Sequence, residues 1–230
     1  MNYIFKKISA IVTSIALFGM GTTVTENFAS EYSYSITANA TENKVFSDID
    51  SNAWYADAVQ FVYNQGIMNG FPDHSFGPNN NISKGQFVTV LYNLDKKPIV
   101  HGTNIFLDVK PTDYYAVPAI WANYNSIAFE NNGYFSPNYS IPREYMVTML
   151  YNYAKRYKKY TIVINKDALN KFGDAQGMHD WAKEPMMWAI TNGIIQGKGK
   201  DKNGKNILDP LGKATRAECA QMLYNFSKKY

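Results

Sequence analysis

Thr215-Arg216-Ala217-Glu218-Cys219-Ala220-Gln221-Met222-Leu223-Tyr224-Asn225 decides the fold, because two other stretches of the chain align with it without a gap. Ser83 to Asn93 and Pro142 to Asn152 share its register, and all three close on one triplet: Leu91-Tyr92-Asn93, Leu150-Tyr151-Asn152 and Leu223-Tyr224-Asn225. Apolar residues recur at helical spacing in each. They are Phe87, Val88, Val90, Leu91 and Leu94; Met146, Val147, Met149, Leu150 and Tyr153; and Cys219, Ala220, Met222, Leu223 and Phe226. Ser83 with Gln86, and Thr215 with Glu218, fit a capping box, in which the two side chains satisfy each other's free backbone N–H groups. Pro142 suits a first helical turn, where its missing N–H costs nothing. A helix is therefore predicted from Ser83, from Pro142 and from Thr215.

The same punctuation precedes each of these helices. Phe76-Gly77-Pro78, Phe135-Ser136-Pro137 and Leu208-Asp209-Pro210 are each followed, four positions past the proline, by Ile82, Ile141 and Ala214. Further upstream the units open on Phe46-Ser47-Asp48, Phe106-Leu107-Asp108 and Phe172-Gly173-Asp174, at offsets of 60 and 66 residues. Trp54, Tyr114 and Trp181 come next, and seven positions after them Phe61, Trp121 and Trp188. Ala58, Phe61, Val62 and Gln65 share one helical stripe, so a first helix is predicted from Trp54 to Gln65, stopped by Gly66. Gly66-Ile67-Met68-Asn69-Gly70 and Gly193-Ile194-Ile195-Gln196-Gly197 are one stop signal, whereas the middle unit has Ser126-Ile127-Ala128-Phe129-Glu130 and lacks both glycines. Each unit is thus helix, Gly/Pro/Asn loop, helix. At roughly 50 residues it is too small to bury its apolar face alone, so three should pack together. The linkers are Lys96 to Asn104 and the Lys-rich Lys155 to Lys171, where Thr161-Ile162-Val163-Ile164 fits a short extended segment.

Composition excludes several functions. The 230 residues carry 23 Lys and Arg against 19 Asp and Glu, and 46% are hydrophobic, which is ample for a packed core. One cysteine forbids an intramolecular disulfide, and His74, His101 and His179 form no metal-ligand spacing, so neither metal nor cofactor is expected. The net charge of +4 lies on scattered lysines, and no nucleic-acid partner is expected. Asp48-x-Asp50-x-Asn52 opens like a calcium loop, but Ala53 and Val59 occupy the positions that need Gly and Glu. No paired carboxylates or repeated Ser or Cys arrangement points to catalysis, so the chain reads as a binding protein and not an enzyme. Cys219 lies on an apolar helix face as a small core residue, and the Phe-x-Asp aspartates read as turn or capping residues.

The first residues read as an export signal. Lys6 and Lys7 precede an apolar run of 13 residues, Ile8 to Met20, well below the roughly 20 that span a bilayer. Ala38-Asn39-Ala40 permits cleavage after Ala40, and because that site is far from the apolar run, cleavage near residues 21 to 30 is the alternative. Residues 1–40 are expected to be signal peptide and polar leader, leaving an exported protein with no membrane contact, suited to a bacterial cell surface.

Lys84, Arg143 and Arg216 share one register position, the first turn of a helix, where free N–H groups and the positive dipole end favour anions. A cation is mildly unfavourable there for the helix itself. Two of the three arginines at that position, Arg156 being the third, point to an anion site. A solvated basic residue or an intramolecular ion pair would also account for them.

The Phe-x-Asp opening, the aromatic helix start, the Gly-Ile-x-x-Gly stop, the Phe-x-Pro loop and the Ile-[Ser/Thr]-[Lys/Arg]-x-[Glu/Gln] helix start together resemble the surface-layer homology (SLH) domain, three times over. The units span 44–97, 104–157 (degenerate) and 170–230. The resemblance implies an all-α fold of three helix-loop-helix repeats packed as a pseudo-threefold bundle. It further implies inter-repeat grooves that hold secondary cell-wall polysaccharide, typically pyruvylated, without covalent attachment. It marks Arg216, Thr215 and Glu218 of the complete Thr215-Arg216-Ala217-Glu218 motif, Arg143 of Pro142-Arg143-Glu144-Tyr145, and Lys84 of Ser83-Lys84-Gly85-Gln86, with Gly70 and Gly197. Lys84 lacks the planar fork that grips a carboxylate, so its site should be weaker. Trp54, Tyr114 and Trp181 either stack on sugar rings or belong to the core. Arg216→Ala is expected to weaken wall binding and barely alter stability. The alternative is a helical-repeat protein–protein interaction scaffold at the cell surface, joined to a surface-protein partner; salt should weaken carboxylate capture and spare an apolar interface.

Overall fold

The computed structural model describes residues 45–230, so the expected leader over 1–40 lies outside the described residues. Among the described residues six α-helices run in order: α1 (Ala56–Asn64), α2 (Lys84–Leu94), α3 (Ala116–Tyr124), α4 (Arg143–Asn152), α5 (Asp180–Thr191) and α6 (Arg216–Lys229). The one sheet among the described residues is a hairpin, β1 (Gly199–Lys200) antiparallel to β2 (Asn206–Ile207). No described helix is long and apolar enough to cross a membrane. The all-α expectation holds.

The three units meet around a closed cycle of backbone hydrogen bonds. Ile82 N–H donates to the Ala214 carbonyl (2.8 Å), Ala214 N–H to Ile141 (2.9 Å) and Ile141 N–H to Ile82 (3.1 Å). All three side chains are fully buried. These are the equivalent residues four positions past each proline, so the register read from sequence becomes a pseudo-threefold axis.

Helix packing runs between units. Helix α2 packs on α3, α4 on α5, and α6 returns to α1, so the first helix of each unit lies against the second helix of the unit before it. The faces predicted for the second helices are buried, apart from Leu94, which is half-buried. Helix α1 buries Ala58, Val59 and Val62; Phe61 is only partly covered, edging on Tyr224 of α6, and Gln65 is exposed. Trp121 and Trp188 are core residues, with the Trp188 indole N–H donating to Tyr230 Oη (3.1 Å).

Local contacts explain the repeated motifs. Asp48 accepts the N–H groups of Phe76 (2.7 Å) and Gly77 (2.8 Å), Asp108 those of Phe135 and Ser136, and Asp174 those of Leu208 and Asp209. The aspartates therefore fasten the Phe-x-Pro loop and do not cap a helix. Asn93, Asn152 and Asn225 donate from the side-chain amide to Ile67, Ile127 and Ile194, each at 3.2 Å, tying the second helix to its own stop.

Several local details differ from, or add to, the expectations. Helix α1 begins two residues after Trp54, and Pro142 is the N-cap of α4, one position before the first turn. Thr161 to Ile164 pairs with no strand, and α4 runs on through a π-helical turn, Tyr153–Tyr157, into the expected linker. The stop of unit two is intact, because Ser126 takes the left-handed conformation (φ 56°) of Gly66 (65°) and Gly193 (68°). Ile127 N–H then reaches Ala122 O at 2.8 Å, as Ile67 reaches Val62 and Ile194 reaches Ala189.

Candidate functional site

The capping boxes form as predicted. Ser83 Oγ accepts Gln86 N–H and Thr215 Oγ1 accepts Glu218 N–H, while the Gln86 and Glu218 side chains accept the N–H groups of Ser83 and Thr215. The next N–H groups are also occupied. Lys84 and Gly85 donate to Tyr139 and Pro137, Arg143 and Glu144 to Gly212 and Pro210, and Arg216 and Ala217 to Asn80 and Pro78. Each helix start is thus filled by the loop of a neighbouring unit, so the free N–H groups expected to attract an anion are not available.

The repeated cations are buried, with Lys84, Arg143 and Arg216 at 5%, 3% and 6% exposure. Arg216 donates from Nε to Phe76 O (2.8 Å) and from Nη2 to Asn69 O (2.7 Å). Arg143 does the same in the next interface, to Leu208 O and Gln196 O, both at 3.1 Å. Lys84 has one donor group and makes one of the two contacts, Nζ to Phe129 O (2.6 Å). Asn69, Phe129 and Gln196 are the fourth residues of the three stops, so each cation clasps the stop of the unit beside it. None of them is a solvated residue, and the ion-pair alternative holds for Arg143 alone, whose Nη1 meets Glu218 at 3.1 Å beside its two carbonyl contacts.

The clasps of Arg143 and Lys84 lie at the back of two grooves between units. One groove, of 570 Å³, is lined by Trp54 of unit one, Arg143 of unit two, and Gln196, Gly197, Lys198, Glu218 and Asn225 of unit three. A second, of 640 Å³, lies in front of Phe129, Tyr145, Thr148, Asn152 and Arg156 of unit two with Trp181 of unit three. Lys84 stands behind this one, its ammonium 4.3 Å from the Phe135 ring and 5.7 Å from that of Tyr145. Burial draws the Lys84 amine down to about 8, against the pull of Asp108 and Glu130.

Trp54 and Tyr114 are 64% exposed and Trp181 51%. Of the two open readings the core is therefore ruled out. Trp54 rests edge-on against Tyr55 and Tyr114 against Tyr115. Trp181 stacks on His179, whose backbone N–H and Nδ1 both meet the buried Glu144 carboxylate, fixing that ring. Tyr114 corresponds to the two tryptophans in the third interface. Partial burial raises its phenol pKa and the nearby Arg216 charge opposes the rise.

Gly70 and Gly197 have a packing reason. A Cβ on Gly70 would meet Phe46 Cε1 at 2.3 Å, and one on Gly197 would meet Ile207 O at 2.7 Å. Gly197 also lines the first groove. Among the described residues no cluster of His, Cys, Asp and Glu could hold a metal ion. Cys219 is fully buried, and loss of water pushes its thiol up to about 12. Sequence reasoning passed over Arg156, which falls in register with Lys97 and Lys229 beyond the aligned triplet, and Lys198, which has no basic counterpart in the other units.

Comparison with known proteins agrees with this geometry. The S-layer homology domain model matches residues 45–88 and 171–220. The chain is 30% identical over 208 residues to an amylopullulanase of Thermoanaerobacterium thermosulfurigenes, covering 85% of this chain and 10% of that protein. It is 29% identical over 177 residues to the surface-layer 125 kDa protein of Lysinibacillus sphaericus (76% of this chain, 14% of that one). It is 25% identical over 183 residues to a cellulosome-anchoring protein of Acetivibrio thermocellus (75% and 37%). The chain therefore spans a minor part of each of these relatives. With the matched domains and its S-layer relatives, the chain belongs to the S-layer homology domain family and is a secreted, cell-wall-associated protein.

Proposed function

We propose that this protein anchors non-covalently to the bacterial cell wall by holding a secondary wall polysaccharide in its inter-unit grooves, with a carboxylate-bearing, pyruvylated sugar as the recognised element. The observation that carries this reading is the pairing, in each of two grooves, of an exposed indole with polar side chains of a second helix and a buried cation behind them. An exposed indole face suits a sugar ring, and a groove built from more than one unit binds only when those units are packed together. On this reading residues 104–157 are a third domain of the same kind. Trp54, Tyr114 and Trp181 stack on sugar, and Glu218, Thr215, Gly70 and Gly197 shape the grooves. Arg216 and Lys84 act from behind through their charge, and Arg143, paired with Glu218, holds its groove in shape. The activity is binding without catalysis.

The test is capture of residues 41–230 by purified peptidoglycan sacculi before and after hydrofluoric acid strips the secondary polysaccharide. Retention by untreated sacculi alone supports the proposal. Equal retention by both overturns it in favour of peptidoglycan itself, and retention by neither favours a protein partner at the cell surface.

A further inference from the structure

The two grooves differ in where their positive charge is already answered. In the first, Glu218 Oε1 pairs with Arg143 Nη1 at 3.1 Å and with Lys198 Nζ at 3.0 Å, and Lys198 also meets Asp209 at 2.9 Å. Both cations of that groove are thus neutralised by the protein. In the second groove Glu184 pairs with Lys155 (2.9 Å) and Asp180 with Lys183 (2.7 Å). Among the described residues, however, no carboxylate pairs with Arg156 or with Lys84. Arg156 lies over the Phe129 ring at 5.8 Å, and Lys84, nine-tenths buried, has only the Phe129 carbonyl. Asp108 and Glu130 pull on the Lys84 ammonium only from beyond ion-pair distance and do not offset its loss of water, a cost that an incoming carboxylate would relieve.

We propose that the groove of unit two takes the carboxylate of a bound acidic sugar, between Arg156 and the field of Lys84, while Glu218 closes the groove of unit three to anions and leaves it for neutral, hydroxyl-bearing sugar. This rests on the wall-polysaccharide reading and reverses the ranking expected from sequence, in which Lys84 was the weaker site. Tyr145 stands in unit two where Glu218 stands in unit three, so this difference was written in the aligned motif.

Trp181 and Trp54 mark the two grooves separately, and the buried Trp121 and Trp188 serve as silent references. The protein labelled with 5-fluorotryptophan would be titrated, by fluorine NMR, with a methyl hexoside carrying a ketal-linked pyruvate and with its pyruvate-free parent. The acidic probe should move the Trp181 signal and leave Trp54 in place. Arg156→Gln should weaken that response about ten-fold, the worth of one charge-assisted contact of about 1.4 kcal/mol. Glu218→Gln should make Trp54 respond as well, and it keeps the helix cap, since Gln86 performs that role in unit one. A Trp54 response in the unmutated protein without one at Trp181, or an unchanged affinity in Arg156→Gln, overturns the inference. Silence of both signals with capture by untreated sacculi retained overturns it and leaves wall anchoring standing; silence with capture also lost overturns both.

Discussion

Arg216 in the third unit donates from Nε to the carbonyl of Phe76 in the first at 2.8 Å, and the N–H of that same Phe76 donates to Asp48 at 2.7 Å. One peptide segment is thus clasped from two sides, by a cation from a neighbouring unit and a carboxylate from its own. The bond spans 140 residues and closes the ring of units.

Arg216→Ala should therefore destabilise the fold by about 3 kcal/mol, because two charge-assisted hydrogen bonds vanish and the buried Phe76 carbonyl loses its donor. This corrects the expectation that stability would barely change. Arg216→Lys should lose only about half as much, since Lys84 shows that an ammonium still reaches one carbonyl. Urea unfolding measures both; an Arg216→Ala midpoint equal to that of the unmutated protein would sink the clasp.

Lys84→Arg makes the converse prediction. Lys84 Nζ lies 4.3 Å from the Phe135 ring, as the Arg216 guanidinium lies 4.6 Å from that of Phe76, so an arginine has equivalent space. It should add the missing bond to Phe135 O and stabilise by about 1 kcal/mol. Thermal unfolding of the single variant decides it, and a lowered midpoint would show that unit two cannot accept the fork.

Much of this was legible in sequence and some was not, for one physical reason. Periodicity reports the apolar face of each helix, and capping boxes are local, so the second helices, their starts at Ser83 and Thr215, and the Gly66 stop could all be read directly. The partners of Arg143, Arg216 and Asp48 are backbone groups far along the chain, and a carbonyl or N–H has no side chain to announce it. The helix starts looked vacant because the carbonyls that fill them belong to other units. Ser126 looked like a broken stop because residue type says nothing of φ when a loop enforces it. In the grooves, Trp54 and Trp181 were found by their recurrence, whereas Arg156 lies beyond the aligned triplet, in register with Lys97 and Lys229, and Lys198 has no basic counterpart.

Ser126→Gly should stabilise the protein by about 1 kcal/mol, by relieving a left-handed serine at a position where glycine has no such penalty. Gly193→Ala should lose a similar amount at the matching stop, where φ is 68° and nothing stands within 4 Å of an added Cβ. Comparing the two by chemical denaturation separates backbone strain from packing. Equal midpoints for Ser126→Gly and the unmutated protein would mean the strain is absent.

Trp54→Ala and Trp181→Ala together should reduce retention on untreated sacculi several-fold with unfolding midpoints nearly unchanged, because both indoles are more than half exposed. Co-sedimentation beside circular dichroism reads the two effects at once. Full retention in the double variant would remove stacking from the binding mode.

Lys84 also gives the fold a pH dependence. Burial lowers its amine from 10.5 to about 8, so between those values the unfolded chain holds a proton that the folded chain has released. Stability then rises with pH across that window, and below about 8 the full penalty of the buried ammonium is present. Lys84→Met lacks the titrating group while keeping a chain of similar length. Between pH 7.5 and 9.5 the unmutated protein should therefore gain about 2 kcal/mol relative to the variant. Other groups that titrate in this range contribute to both proteins alike and cancel in the difference. Urea midpoints at three pH values measure it, and parallel profiles would mean that the Lys84 ammonium keeps its water in the folded state.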